Sequence, residues 1–162
     1  MRVAVVMGSK SDLVKVEPAI TLLKSFGVKV DVRILSAHRT PRELEDFINE
    51  TKENGTEAII AAAGMAAALP GVIAAMTTLP VIGVPISSKN LDGLDALLSI
   101  VQMPSGIPVA CVAIDGTKNA AYLALQILGI KYLTIKEKLI DERKNMEKQA
   151  LQANEELQNK YK

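Results

Sequence analysis

The chain has a single histidine, His38, and Arg39 follows it directly within SAHRT (36–40). Histidine is the side-chain type that changes charge near neutral pH, so one such residue can give a proton and take it back. The guanidinium of an adjacent arginine presents a planar fork of donors that suits an anion such as phosphate. Ser36 opens the segment and the flanks are polar, which argues against a histidine kept only for packing. A second cluster, GSKSD (8–12), carries Ser9, Ser11 and Asp12 where a helix opens. Hydroxyls and backbone N–H groups at a helix start, with the helix dipole behind them, can hold a phosphate. The commoner use of the same residues is simple helix capping. A third segment, AGMAAALPG (63–71), offers glycine and small side chains over which backbone approaches a flat ligand closely. It equally suits tight helix–sheet packing. The polar run PISSKNLDG (85–93) is the fourth such segment.

Several chemistries are disfavoured at once. GSKSD lacks the glycine spacing and the Lys-Ser/Thr ending of a triphosphate-binding loop, and it is not a dinucleotide fingerprint. One histidine and one cysteine leave no His/Cys cluster for a metal, so no metal and no cofactor are expected. Cys111, inside the apolar run PVACVAI, reads as a small buried hydrophobe rather than a nucleophile. Ser9, His38 and Asp12 could be drawn as a triad, but the G-x-S-x-G elbow is missing. A flavin is disfavoured because the chain has no tryptophan and only three tyrosines and two phenylalanines. A net charge of +1 gives no field for nucleic acid or a membrane surface. The uncharged stretch 58–88 is long enough to span a bilayer, yet Gly64, Pro70, Gly71, Pro80, Gly83 and Pro85 cut it into short pieces. It is expected to be strand, helix and strand, all buried. No secretory signal is read at the N-terminus, and a cytoplasmic location is expected.

The elements that must carry these segments alternate along the chain. RVAVVMG (2–8) is a short apolar strand closed by glycine. Residues 12–26 place Leu13, Val16, Ile20 and Leu23 at helical spacing, with Pro18 in the first turns and Gly27 as the stop. In 28–35, Val28, Val30, Val32 and Ile34 alternate with Lys29, Asp31 and Arg33, the mark of a strand near a sheet edge. Residues 40–54 open with Thr40 as N-cap, Pro41 at the first helical position and Glu43 two residues on. Strands follow at 57–63, 79–85 and 107–114, and helices at 67–77, 91–103 and 117–129. Strict βα alternation predicts a parallel sheet covered on both faces. Five strands predict an α/β, flavodoxin-like, three-layer doubly wound domain over residues 1–130. In such a sheet ligands sit beyond the carboxyl ends of the strands, and all four polar segments belong to that rim.

Residues 131–162 differ. They are rich in Lys and Glu, and Ile135, Leu139, Met146, Ala150, Ala153 and Leu157 recur in heptad-like steps. This predicts an extra C-terminal helix that packs on a neighbouring subunit, and hence a homo-oligomer.

Taken together, VMGSKSD, SAHRTP, GMAAALPGVIA, LPVIGVP, LDGLDALLSIVQMPSGIPVA and NAAYLALQIL resemble the purine-biosynthesis family of N5-carboxyaminoimidazole ribonucleotide mutases and aminoimidazole ribonucleotide carboxylases. The likeness runs from about residue 2 to about residue 130. It implies a flavodoxin-like octamer whose C-terminal helices reach across subunits. It also implies transfer of a carboxyl group from N5 to C4 of an imidazole ribonucleotide, without metal, biotin or ATP. Matched motif by motif, the resemblance gives Ser9 and Arg39 to the 5′-phosphate and Asp12 to the ribose hydroxyls. Ser11 and Ser36 line the site, and His38 moves the proton. Gly64, Ala66, Ala67 and Leu69 surround the imidazole and the carboxylate.

One position departs from the family pattern. Where AAHLPG is common, this chain has AAALPG, so Ala68 stands in place of a second histidine. The proton carrier remains, and the likeness to mutase-type members favours the mutase. Direct carboxylation of aminoimidazole ribonucleotide by CO2 is the alternative within the family. A non-catalytic nucleotide-binding protein of flavodoxin-like architecture is the alternative outside it, against which the presence of His38 speaks.

Overall fold

Val3–Met7 and Ala58–Ala63 are buried to the last residue, as strands covered on both faces must be. In the structure, a computed structural model describing residues 1–161, they belong to β1 (Arg2–Met7) and β3 (Ala58–Gly64). With β2 (Lys29–Ile34), β4 (Val81–Ile86) and β5 (Ala110–Cys111) they form one parallel sheet in the order β2-β1-β3-β4-β5. The alternating 28–35 segment does lie at the edge, and none of β2's residues is fully buried. The register sets Met7 beside both Ile34 and Ala62, and Gly64 beside Ile86. The loops after β1, β2, β3 and β4 therefore leave the sheet side by side at one rim.

The helices are α1 (Leu13–Ser25, after a single 3-10 turn Lys10–Asp12), α2 (Pro41–Glu53), α3 (Leu69–Met76), α4 (Leu94–Val101), α5 (Thr117–Lys131) and α6 (Leu133–Lys160). Helices α1 to α4 pack on the two faces of the sheet. Leu44, Phe47 and Ile48 of α2, Leu69 and Ile73 of α3, and Ala96 and Ile100 of α4 pack with Ala4, Val6, Ile59 and Ala61. The alternate residues Val3, Val5, Met7 and Ile60 point the other way, and α1 buries Val16, Ala19, Ile20 and Leu23. Gly83 of β4 lets this packing close: a Cβ there would stand 2.5 Å from Ile100 Cγ2 and 3.0 Å from Val109 Cγ1.

Three expectations are adjusted. The last strand shrinks from 107–114 to two residues. Pro108 has no N–H to give a ladder, and beyond Cys111 the pairing turns irregular, with Val112 N bonded to Gly83 O and Asp115 N to Pro85 O. Helix α4 begins at Leu94, not at 91, because Asp92 and Gly93 take left-handed backbone (φ 50° and 89°). Thr40 is the residue before α2, but its hydroxyl makes no capping bond; it is used within its own loop instead.

The chain divides into two compact units, Met1–Ala124 and the residues from Leu125 onward. In the second, α6 is 28 residues long, and Ile135 is its buried residue among those described. Among the described residues no helix is long and apolar enough to cross a membrane. Residues 58–88 form β3, α3 and β4 with their connections.

Candidate active site

The site is built where β1, β2 and β3 end. Gly8 leaves β1 with its N–H on Ala62 O, so the first loop starts against β3. Ser9 is extended and caps the 3-10 turn: its Oγ accepts from Ser11 N at 3.3 Å. Ser11 Oγ lies 2.9 Å from Ser9 Oγ and 3.2 Å from Asp12 Oδ1. A hydroxyl has one proton, so Ser11 gives it to one or the other. Ser9 thus caps the turn, while Ser11 remains exposed. Burial pushes the Asp12 carboxyl above its ordinary range, against the opposing pull of Ser11, the Ser9 backbone and Lys15; Asp115 adds to the rise.

The second loop is drawn into a closed turn. Ser36 N donates to Thr40 Oγ1 (2.8 Å), Thr40 N donates to Ser36 O (2.9 Å), and Arg39 N donates to Ser36 Oγ (3.3 Å). His38 stands at the exposed tip of that turn. Arg39 turns back to the first loop, where its Nη2 donates to Gly8 O at 2.9 Å. One bond thereby joins the turn bearing His38 to the turn bearing Ser9, Ser11 and Asp12. A guanidinium has five N–H donors, so most of the fork is left for an anion.

The third loop contributes backbone more than side chains. Met65 and Ala67 take left-handed φ of 57° and 39°, an uncommon state for residues other than glycine. Ala67 N closes the turn on Gly64 O at 3.1 Å. A Cβ on Gly64 would lie 3.0 Å from Ile86 O, so glycine is needed where β3 meets β4. Ala66 is exposed, whereas Ala67 and Leu69 are buried at 5% and 3% exposure. The side chains of Ala67 and Leu69 belong to the core. Ala68 precedes α3 and gives its first turn no side-chain cap, which leaves N–H groups there for another partner.

All ten expected site residues lie on these three loops or at the element ends that bound them, Gly64 closing β3 and Leu69 opening α3, and the Arg39–Gly8 bond holds two of the loops together. Lys15, Asp115 and Ser87, the last within the fourth polar segment of the rim, bond to one another beside Asp12, a junction the sequence did not reveal. Their separations of 72 and 100 residues leave no local signal. Among the described residues no group of three or more His, Cys, Asp or Glu side chains could hold a metal ion. Burial raises the Cys111 thiol above its ordinary range, which makes it a poor nucleophile.

Known proteins share this fold and much of this sequence. The chain matches the AIR carboxylase family over residues 2–149. It is 60% identical over 146 residues to the N5-carboxyaminoimidazole ribonucleotide mutase of Pyrococcus horikoshii, covering 90% of this chain and 82% of that one. It is 51% identical over 160 residues to the enzyme of the same name from Methanocaldococcus jannaschii, covering 99% of both. The crystal structure of Treponema denticola PurE superposes with a TM-score of 0.86 at 30% identity, over 93% of this chain and 94% of that one. A family match across most of the chain and a shared fold agree with the rim described above: the chain belongs to the AIR carboxylase family.

Proposed function

We propose that the chain catalyses a step of de novo purine biosynthesis, moving the carboxylate of N5-carboxyaminoimidazole ribonucleotide from N5 to C4. The observation that carries this reading is the Arg39–Gly8 bond. It sets a phosphate-ready guanidinium, a polar turn and an exposed imidazole side by side on one rim. The 5′-phosphate is received by Arg39 and Ser9, with Ser11 and Ser36 alongside, and the ribose hydroxyls by Asp12. The imidazole and its carboxylate lie against Gly64, Ala66 and the uncapped start of α3, whose N–H groups and dipole favour an anion.

The chemistry needs one proton. As the N5–carboxyl bond breaks, its electron pair stays on nitrogen and CO2 is released; His38 protonates N5, giving aminoimidazole ribonucleotide. The electron-rich C4 then attacks the CO2, and a C–C bond forms. C4 now bears both hydrogen and carboxylate, and His38 takes that hydrogen as a proton, which restores the aromatic ring. The histidine ends as it began. Holding CO2 in place converts a bimolecular recapture into an internal step.

Confinement needs walls that one chain does not supply, since His38, Arg39, Met65 and Ala66 are all exposed. The outer face of α4 and the turn before it carry Leu91, Leu94, Leu98 and Val101, each at least half exposed. An apolar stripe of this kind is expected to meet other subunits. The reading therefore includes a symmetric homo-oligomer; the family resemblance supports an octamer, acting in the cytoplasm.

Ala68 keeps direct carboxylation as the competing reading. Purified protein offered each substrate separately decides between them. Turnover of N5-carboxyaminoimidazole ribonucleotide at low bicarbonate supports the mutase. Activity only with aminoimidazole ribonucleotide and high bicarbonate replaces it with the carboxylase.

A further inference from the structure

Three segments far apart in sequence meet beside the first loop. Lys15 is in the first turn of α1, Ser87 follows β4, and Asp115 follows β5. Lys15 Nζ donates to Asp115 Oδ2 at 3.0 Å and Oδ1 at 3.1 Å, to Ser87 O at 3.1 Å, and to Ser87 Oγ. Asp115 also accepts from Ser87 N at 2.9 Å and from Ser87 Oγ at 2.6 Å. The serine hydroxyl thus receives from the ammonium and gives its own proton to the carboxylate. Backbone completes the junction: Thr117 Oγ1 donates to Lys15 O at 2.7 Å, and Asp115 N donates to Pro85 O at 2.8 Å. Asp115 holds a left-handed φ of 56° in doing so, which aspartate tolerates better than most residues.

A pair with side chains 34% and 36% exposed adds little to stability, so its many bonds call for another account. Lys15 lies three positions after Asp12, one helical turn along the same face. We infer that Lys15 and Asp115 are positioning residues: with Ser87 they lock the first turn of α1 to the segments that follow β4 and β5, so that the Asp12 carboxylate, one helical turn before Lys15, is held beside a fixed ion pair to receive the ribose hydroxyls. This rests on the assignment of Asp12 to the ribose made above. The two charges act on Asp12 in opposite senses, Lys15 favouring its ionised form and Asp115 opposing it. Further cations of this region are Arg39, bonded to Gly8 O, Lys10, exposed in the same turn, and Lys118, exposed where it lines one surface hollow with Lys15 and Asp115.

The opposed senses give the test. The Asp12 carboxyl is titrated by carbon NMR in the free full-length protein, in Lys15→Gln and in Asp115→Asn, and aminoimidazole ribonucleotide affinity is measured by calorimetry. Asparagine keeps the left-handed backbone accessible and glutamine keeps a donor. The Asp12 midpoint is expected to rise in Lys15→Gln and to fall in Asp115→Asn. Affinity is expected to weaken about three- to tenfold in both, the share of one or two hydrogen bonds. General loosening of the loop would move both midpoints the same way. That result, or no movement, overturns the inference, as does unchanged affinity in both. Should either variant not fold, Lys15→Met and Asp115→Gly carry the same test. The titration needs no turnover, so an inactive parent would count against the carboxylate transfer while the titration still decides this pair.

Discussion

In the proposed mechanism His38 acts in opposite directions within one turnover, as acid toward N5 and as base toward C4. Its place at the exposed tip of a turn closed by Ser36 and Thr40 suits that task, because the backbone is fixed while the ring stays accessible. His38→Asn keeps a similar shape but carries no exchangeable charge near neutral pH. The expected result is a folded protein that still binds nucleotide, with turnover lowered by about 10²–10⁴-fold, the usual share of general acid–base catalysis. Steady-state rates beside calorimetric affinities check this; near-normal turnover would assign the proton to another group. Arg39 donates to Gly8 O, and the proposed function gives the rest of its fork to the phosphate. Arg39→Ala is expected to weaken ribonucleotide binding roughly tenfold to a hundredfold, the size of a charge-assisted hydrogen bond of about 1.5–3 kcal/mol. Binding equal to the parent's would put the phosphate elsewhere.

At the scale of elements, legibility followed locality. The edge position of β2 could be read from its alternation, and the end of α1 from Gly27, whose φ of 83° a side chain would resist. The His38–Arg39 segment was legible because a lone histidine in a strand-to-helix loop is informative by itself. Thr40 misled, since its hydroxyl had two local partners open to it and Ser36 prevailed over the helix start. The short β5 was not legible, because its pairing depends on how β4 presents Gly83. The Lys15–Ser87–Asp115 junction was invisible for the same reason, being made only by the tertiary fold. That junction has a pH consequence. Burial acts to raise the Asp115 carboxyl, but hydrogen bonds from Ser87 and Lys15 and the Lys15 charge outweigh it, so its value lies below the ordinary 3.8. Its stabilising contribution is therefore complete above that ordinary value and is lost as pH falls through the lowered one. Asp12, raised by burial, runs the other way: what it adds is present at low pH and lost as pH rises through its folded value. Urea midpoints measured from pH 7 down to pH 2 should fall less steeply at the acid end in Asp115→Asn than in the parent. The difference should be under about 1 kcal/mol for a pair this exposed. Identical acid limbs would show that Asp115 titrates alike in the folded and unfolded chain.

For the whole molecule, the apolar residues left outside are as informative as the core. Leu94 and Leu98 share one face of α4 and are each 51% exposed. In the second unit Ile130, Leu133, Leu151 and Leu157 are more exposed still. A lone soluble domain seldom leaves so many large apolar side chains in water. Light scattering of the full chain is expected to give the mass of an octamer, and Leu94→Glu combined with Leu98→Glu is expected to reduce it. A monomeric parent at micromolar concentration contradicts the assembly and, with it, the closure of the rim. In the proposed mechanism the carboxylate lost from N5 is the one gained at C4. Substrate labelled with carbon-13 in its N5 carboxylate, turned over in unlabelled bicarbonate, tests that claim directly. The expected product retains the label in its C4 carboxylate; a product carrying carbon from the bicarbonate pool instead would rule out internal transfer.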